Sequence, residues 1–374
     1  MRVTIARDEL LTALQRVQGV VEKRNTMPSL ANVLLEAKPE GLDIMATDLE
    51  LGMRGLYQAE VKEPGSVTFS ARKLYEILKE IREKDVEMTV SDHSLVTIRA
   101  GRSQFKVVGL PSKDFPPLPA IEREGMIPVP GAGLLELIRK TLFAVGDNDT
   151  RYVLNGLLVT IGTSGKTTTL RLVGTDGHRL AVAEQAIESP QKGISSQEVK
   201  VIVPKKAALE IRRLLEEGGD EPMIGFTKNM LIFRKSRLVL TSRLMEGNYP
   251  NYQQVMPKES SKFITVNREE LEGALRRVSV LSRDKTYAVK LTFASEHITL
   301  FSSHPDMGEA SEEVPAAFNG TEFSAGFNAR YLLDVLGVMD KETLQFQMEA
   351  SLSPCLIKEA DNPNFKTVVM PVKV

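Results

Sequence analysis

The sequence predicts an α+β fold of three repeated domains, each with two helices and antiparallel sheets. Two observations predict it. The same order of signals returns three times along 374 residues, about 125–135 residues apart, a domain-sized period rather than a solenoid one. The stretches between the helices are short, β-branched and broken by Gly, Pro and Asp, as antiparallel strands and turns require.

Each repeat opens on a basic amphipathic helix: RDELLTALQRVQGVV from Arg7, GAGLLELIRKTLFAV from Gly131 and NREELEGALRRVSVL from Asn267. In each, apolar residues recur three and four positions apart. A second helix follows in SARKLYEILKEI from Ser70, PKKAALEIRRLL from Pro204 and NARYLLDVLGVM from Asn328. In the first repeat strands are expected at 3–6, 33–37, 42–48, 67–71, 86–91, 95–100 and 105–110. LLVTIG pairs with TTLRLVG across the turn at 163–166, and KVIVP, PMIGFT, MLIFRK and RLVLTSRL continue the second repeat. The third offers KFITV, AVKLTFA, HITLFSS, EFSAGF, LQFQME, PCLIKEA and TVVMPV. Pro-rich or polar linkers near 115–128 and 250–262 place the domains at 1–120, 128–250 and 258–374.

At 42% hydrophobic and 26% charged, the chain has core material for an ordinary globular protein. No apolar run nears the roughly 18 residues of a membrane span, and the N-terminus lacks a basic-then-apolar signal, so a cytoplasmic location without membrane contact is expected. Cys355 is the single cysteine, which excludes an intrachain disulfide and a cysteine metal cluster. His93, His178, His297 and His304 lack metal-ligand spacing, so no metal site is expected. A net charge of −1 argues against gripping nucleic acid with the whole surface. Positive charge on one face remains compatible with it.

The helix cations recur in phase. Gln15 aligns with Arg139 and Arg276, Arg16 with Lys140 and Arg277, Arg72 with Lys206 and Arg330, and Lys79 with Arg213. For any one residue this is an ordinary solvated face; recurrence points to a positive lane for phosphate. The acids Asp306, Glu309, Glu312 and Glu313 are expected in a loop away from it.

Two motifs invite enzymatic readings. GTSGKT at 162–167 lacks the spacing and following helix of a phosphate-binding loop, so it reads as a hairpin turn. GTDGHRLA at 174–181 offers Asp176 and His178, but no nucleophile accompanies them, and the first repeat has TDLE there. It reads as a turn presenting His178, Arg179 and Leu180 at a surface. No catalytic residue and no cofactor are expected.

ATDLE (46–50), RYVLNG (151–156), GTDGHRLA (174–181), YPNYQQVMP (249–257), GFNARYLLDV (326–335) and VVMPVKV (368–374) together resemble the bacterial DNA polymerase III beta subunit family, the sliding clamps. The likeness spans essentially the whole chain. It implies a head-to-tail homodimer closed into a ring of six similar domains, with helices around the hole and sheets outside. Such a ring encircles double-stranded DNA without sequence preference, catalyses nothing, and tethers the replicative polymerase alpha subunit. The implied partners also include the clamp loader, translesion polymerases, mismatch-repair proteins and ligase, through clamp-binding peptides.

Carried over by position, the family's DNA contacts fall on Arg24, Arg72, Asn148, Tyr152 and Val153. Its peptide groove falls on Arg151, Leu154, Thr175, Gly177, His178, Arg179, Leu180, Pro250, Val255, Asn328, Tyr331, Val368, Met370, Pro371 and Val372. Its dimer seam falls on Lys73, Arg102, Phe105, Val107, Val280, Leu281, Asp306 and Glu309. The chain departs from the family pattern at Thr286, Gln254, Gln104 and Val153. Two other classes compete with this reading: an enzyme using the 174–181 turn and the GTSGKT hairpin, and a monomeric multi-domain protein-binding scaffold without DNA linkage.

Overall fold

One element order, with an added β5 in the first copy, is repeated three times in the computed structural model, which describes residues 1–21, 27–91, 93–118, 125–188, 198–257, 263–282 and 287–373. The first repeat runs β1 (Arg2–Ala6), α1 (Arg7–Val17), β2 (Asn32–Lys38), β3 (Gly41–Thr47), β4 (Leu51–Tyr57), β5 (Glu60–Glu63), β6 (Gly65–Ser70), α2 (Ala71–Glu80), β7 (Asp85–Val90), β8 (Leu95–Ala100) and β9 (Ser103–Val108). The second runs β10 (Ile127–Pro128), α3 (Gly131–Leu142), β11 (Gly156–Ser164), β12 (Thr167–Thr175), β13 (Arg179–Ile187), β14 (Val199–Pro204), α4 (Lys205–Glu216), β15 (Met223–Phe226), β16 (Met230–Lys235) and β17 (Leu238–Arg243). The third runs β18 (Ile264–Asn267), α5 (Arg268–Val278), β19 (Ala288–Phe293), β20 (His297–His304), β21 (Gly308–Phe318), β22 (Phe323–Asn328), α6 (Ala329–Leu336), β23 (Thr343–Gln347), β24 (Cys355–Glu359) and β25 (Phe365–Val369).

The helices form on apolar stripes, and three of them also start at a capping side chain. Leu10, Ala13, Leu14 and Val17 are the buried face of α1, and Leu271, Ala274, Leu275 and Val278 the matching face of α5. The Asn267 side chain accepts from the Glu269 and Glu270 N–H groups at the start of α5, and Ser70 accepts from Lys73 N–H at the start of α2.

Contacts group the chain into two units, Met1–Gly131 with Leu209–Leu244, and Ala132–Ser189 with Ser196–Ala208 and Met245–Val374. The first unit holds a sheet ordered β5-β1-β7-β8-β9 and another ordered β10-β15-β16-β17-β4-β3-β2-β6. The second holds one ordered β14-β11-β12-β13-β25-β24-β23-β18-β21-β20-β19-β22. Repeats are therefore joined by backbone ladders. β4 meets β17 with Leu51 opposite Ser242 and Gly55 opposite Leu238. β13 meets β25 with Arg179 opposite Val369 and Ala183 opposite Phe365.

Three expectations need correction. The acids of 306–313 are not a loop: only Asp306 lies in a turn, and Glu309, Glu312 and Glu313 belong to β21, paired with β20. Nor are acids and helix cations kept apart. Arg277 is bridged by Glu312 at 2.6 Å, and Arg16 by Glu217 at 2.7 Å. Lys140 belongs to no exposed lane; its side chain is 8% exposed and bonded to Asp340 at 2.8 Å, because a buried ammonium must be paired. The turn at Gly165 and Lys166 is a plain hairpin between β11 and β12, with Gly165 at φ +62°.

The α3 helix lies so close to β12 that a side chain at Gly174 would meet backbone. A Cβ there would sit 2.4 Å from the Thr141 carbonyl oxygen, which cannot swing aside. Gly174→Ala should therefore cost about 1–3 kcal/mol. Chemical denaturation would show it as a lower unfolding midpoint; an unchanged midpoint would mean that helix and sheet separate freely here.

Candidate functional site

The site is built on the turn between β12 and β13. Asp176 Oδ1 accepts from the N–H groups of His178 (2.9 Å) and Arg179 (3.0 Å), closing the turn. Gly177 has φ +82°, which favours glycine, and a Cβ on it would lie 2.5 Å from Arg151 Nη1 and displace that guanidinium. The Arg151 guanidinium donates to the Asp176 carbonyl at 2.8 Å and grips Asp149 through Nε at 3.0 Å and Nη2 at 2.8 Å. The bonds from the Arg151 side chain, and then from its backbone N–H, hold the Asp149 carboxyl down at about 2.

Beneath this turn lies an apolar floor. Leu154, Leu180 and Val368 are buried together with Leu158, Val173, Ile202, Met245 and Tyr249. The Tyr249 hydroxyl donates to the Val173 carbonyl at 3.3 Å, and burial pushes its phenol pKa up. The resulting cavity is about 130 Å³. Arg151, Leu154, Thr175, Gly177, Arg179, Leu180, Pro250, Val255, Val368 and Met370 line it, all expected from sequence. Asn251 and Tyr252 line it too; both sit inside YPNYQQVMP, which was the available signal for them. Leu180 is not presented at a surface as expected: β13 begins at Arg179, and alternation turns Leu180 inward at 2% exposure.

Five expected groove residues do not line the cavity. His178 stacks on Tyr331 with centroids 5.9 Å apart, and Arg179 covers the same ring at 4.7 Å while pairing with Asp334. Asn328 is the cap of α6, accepting from Arg330 N–H at 2.9 Å. The tail carrying Pro371 is pinned at both flanks: Met370 N–H donates to the His178 carbonyl and Val372 N–H to the Gly326 carbonyl, each at 2.8 Å. Both arginines of the site are already satisfied by acids. Apolar fit and directional hydrogen bonds, rather than free charge, would select a ligand, as in a peptide-binding cleft.

The remaining expected residues fall elsewhere. Arg24 and Thr286 lie outside the described residues. Arg72 projects from α2 with its side chain 79% exposed, held by Glu76 at 2.8 Å. Asn148 takes a left-handed φ of 57°, and Tyr152 is 65% exposed just beyond it, beside half-buried Val153. Lys73 shares Glu76 with Arg72. Arg102 is exposed at the β8–β9 turn, and Phe105 and Val107 are half-buried along β9. Val280 is 50% exposed beyond α5, next to half-buried Leu281. Asp306 and Glu309 are exposed at the β20–β21 turn and the start of β21. Gln254 is exposed, and Gln104 accepts from Arg99 Nε at 3.1 Å.

Family models describe the same three parts. Those of the DNA polymerase III beta subunit match residues 1–119 (N-terminal domain), 128–251 (central domain) and 253–373 (C-terminal domain). The beta sliding clamp of Caulobacter vibrioides is 39% identical, and that of Escherichia coli 34%, with 100% of each chain covered in both comparisons. Among solved structures, a Caulobacter crescentus beta sliding clamp superposes with a TM-score of 0.93 at 39% identity. The DNA polymerase III subunit beta of Pseudomonas aeruginosa does so with 0.93 at 36%, each again over 100% of both chains.

The Arg151–Asp149 clasp sets a pH expectation. An ordinary aspartate titrates near ~3.9. The folded pKa is depressed, so the clasp's contribution is complete above that value and fades as pH falls through about 2. Carboxyl NMR should place the Asp149 midpoint near 2, with the site insensitive to this pair at neutral pH. A midpoint at the ordinary value would mean the clasp is not formed in solution.

Proposed function

Because this chain belongs to the DNA polymerase III beta subunit family, matched in all three of its domains, we propose that it works as a sliding clamp. Two copies, each with domains at 1–120, 128–250 and 258–374, close head to tail into a ring around duplex DNA in the cytoplasm. The clamp tethers the replicative polymerase and catalyses nothing. A ring linked topologically to its template needs only weak phosphate contacts, and weak contacts permit sliding. Tethering raises processivity through effective concentration. Arg24, Arg72, Asn148, Tyr152 and Val153 supply those contacts in this reading.

The observation that carries it is a repeated ladder with its third copy left open. β4 pairs with β17, and β13 with β25, each over five residue pairs. The corresponding strand of the third repeat is β21. It pairs with β20 along one side, but with β18 only at Ala316–Phe318 on the other. The corresponding strand of the first repeat is β9, at the end of its sheet. Bridges at Leu110, Met245 and Val372 mark equivalent positions in the three repeats. Ser242 and Val369 stand three residues before theirs, opposite Leu51 and Arg179, the first residues of β4 and β13. The same offset sets Val107 against Gly308 of a second copy, and Phe105 against Ala310. An exposed strand edge is a template for pairing, and a closed ring removes it.

The groove at Arg151, Leu180 and Met370 is read as the dock for short peptides of the polymerase alpha subunit and clamp loader. Translesion polymerases, mismatch-repair proteins and ligase would use it in turn. Removing residues 370–374 should abolish polymerase stimulation while leaving the dimer intact; a truncated chain that still supports processive synthesis would sink the groove assignment. On DNA, the loaded protein should stay on a nicked circle and fall off once the circle is linearised, and equal retention on both would rule out encirclement. Reversing Arg24 and Arg72 should weaken loading and flatten its salt dependence.

A further inference from the structure

The two seams inside the chain share an ionic device that the head-to-tail reading extends to a third. Arg16, Lys140 and Arg277 each stand nine residues past the first residue of α1, α3 and α5. The first two reach an acid beyond the second helix of the next repeat: Arg16 meets Glu217 at 2.7 Å, and Lys140, with Arg139, meets Asp340 at 2.8 and 2.7 Å. Glu217 and Asp340 lie twelve and eleven residues past the first residues of α4 and α6. In the first repeat the matching position, twelve past the first residue of α2, is the exposed Glu83.

Resting on the head-to-tail reading above, we propose that Arg277 of one protomer pairs with the partner's Glu83 as a third latch. Three observations support the fit. Arg277 is bonded to Glu312 of β21, the strand with the open edge, and its side chain is still 64% exposed. Its Nε and Nη2 are engaged there, which leaves Nη1 to donate. Glu83 sits at the other open edge: a Cβ on Gly101, in the β8–β9 turn, would lie 2.7 Å from its Oε1. The charges are complementary, and the surface continues from the proposed ladder.

The latch differs from its intrachain models in exposure. Lys140 is 8% exposed and Arg16 27%, whereas Arg277 stands largely in solvent. An exposed pair is weakened by salt.

Sedimentation of the full chain across a concentration series tests this. Glu83→Gln and Arg277→Gln should each raise the dimer dissociation constant about two- to fivefold, the range of an exposed pair. The combined variant should be no worse than the weaker single one, because both remove the same bond. Arg277→Gln also frees Glu312, but that cost is common to both arms of the cycle and cancels. No effect of Glu83→Gln, or effects that multiply, would overturn the latch. The seam itself is read separately by Phe105→Cys with Ala310→Cys, which should oxidise to a covalent dimer. If they do not cross-link and the unaltered chain sediments near 41.4 kDa at every concentration, the ring reading fails and the latch with it.

Discussion

Backbone pairing between repeats is the constraint on which everything else rests. Leu51–Gly55 on Leu238–Ser242, and Arg179–Ala183 on Phe365–Val369, turn separate domains into continuous sheets. A ladder fixes register as well as contact, since a slip of one residue would turn every side chain to the wrong face. Register in turn positions the groove. Because Arg179 is held opposite Val369, the chain beyond β25 leaves at the height of the β12–β13 turn, and Met370 can bond His178. The groove is a by-product of how the second and third repeats are sewn together.

Much of this was legible in sequence, and the strands that were not share a feature. The helices stand where apolar spacing puts them, and Ser70, Asn267 and Asn328 cap three of them. Besides the short β5 and β10, one strand escaped detection in every repeat: LGMRGLY (β4), RLAVAEQAI (β13) and GEASEEVPAAF (β21). These are the joining strands. Glycine, alanine and glutamate are poor in strand propensity, so local pattern does not mark them. The small residues have a reason, however. A Cβ on Gly52 would lie 2.6 Å from Leu118 and 2.9 Å from Thr241 Oγ1, the latter on the strand it pairs with. At that point of β4, close packing leaves no room for the branched side chain by which a strand is normally recognised.

The groove was legible for a different reason. Turn chemistry is local, and DGHR announces it: Asp176 closes the turn and Gly177 supplies the left-handed residue. What sequence could not give is the pairing of Arg151 with Asp149 and of Arg179 with Asp334, which depends on tertiary placement. Those pairs matter to the chemistry. Had both guanidinium groups been free, the cleft would favour any acidic segment. With both neutralised, selectivity passes to the apolar floor of Leu154, Leu180 and Val368, and a clamp serving many partners would read a short apolar signature in each.

The same ladder has different consequences inside a chain and between chains. Five residue pairs give about five backbone hydrogen bonds, each worth about 1 kcal/mol net. Within the chain this suffices, because the repeats are tethered and lose little further freedom on pairing. Between protomers, association first costs roughly 4–15 kcal/mol of translational and rotational freedom. Over most of that range a five-bond ladder falls short, so in the proposed ring Phe105, Val107, Val280 and Leu281 would add buried apolar area and the exposed charges would add pairing. In the proposed ring the third joint lacks the covalent connection that the two ladders within the chain have, so it alone closes or opens with protomer concentration.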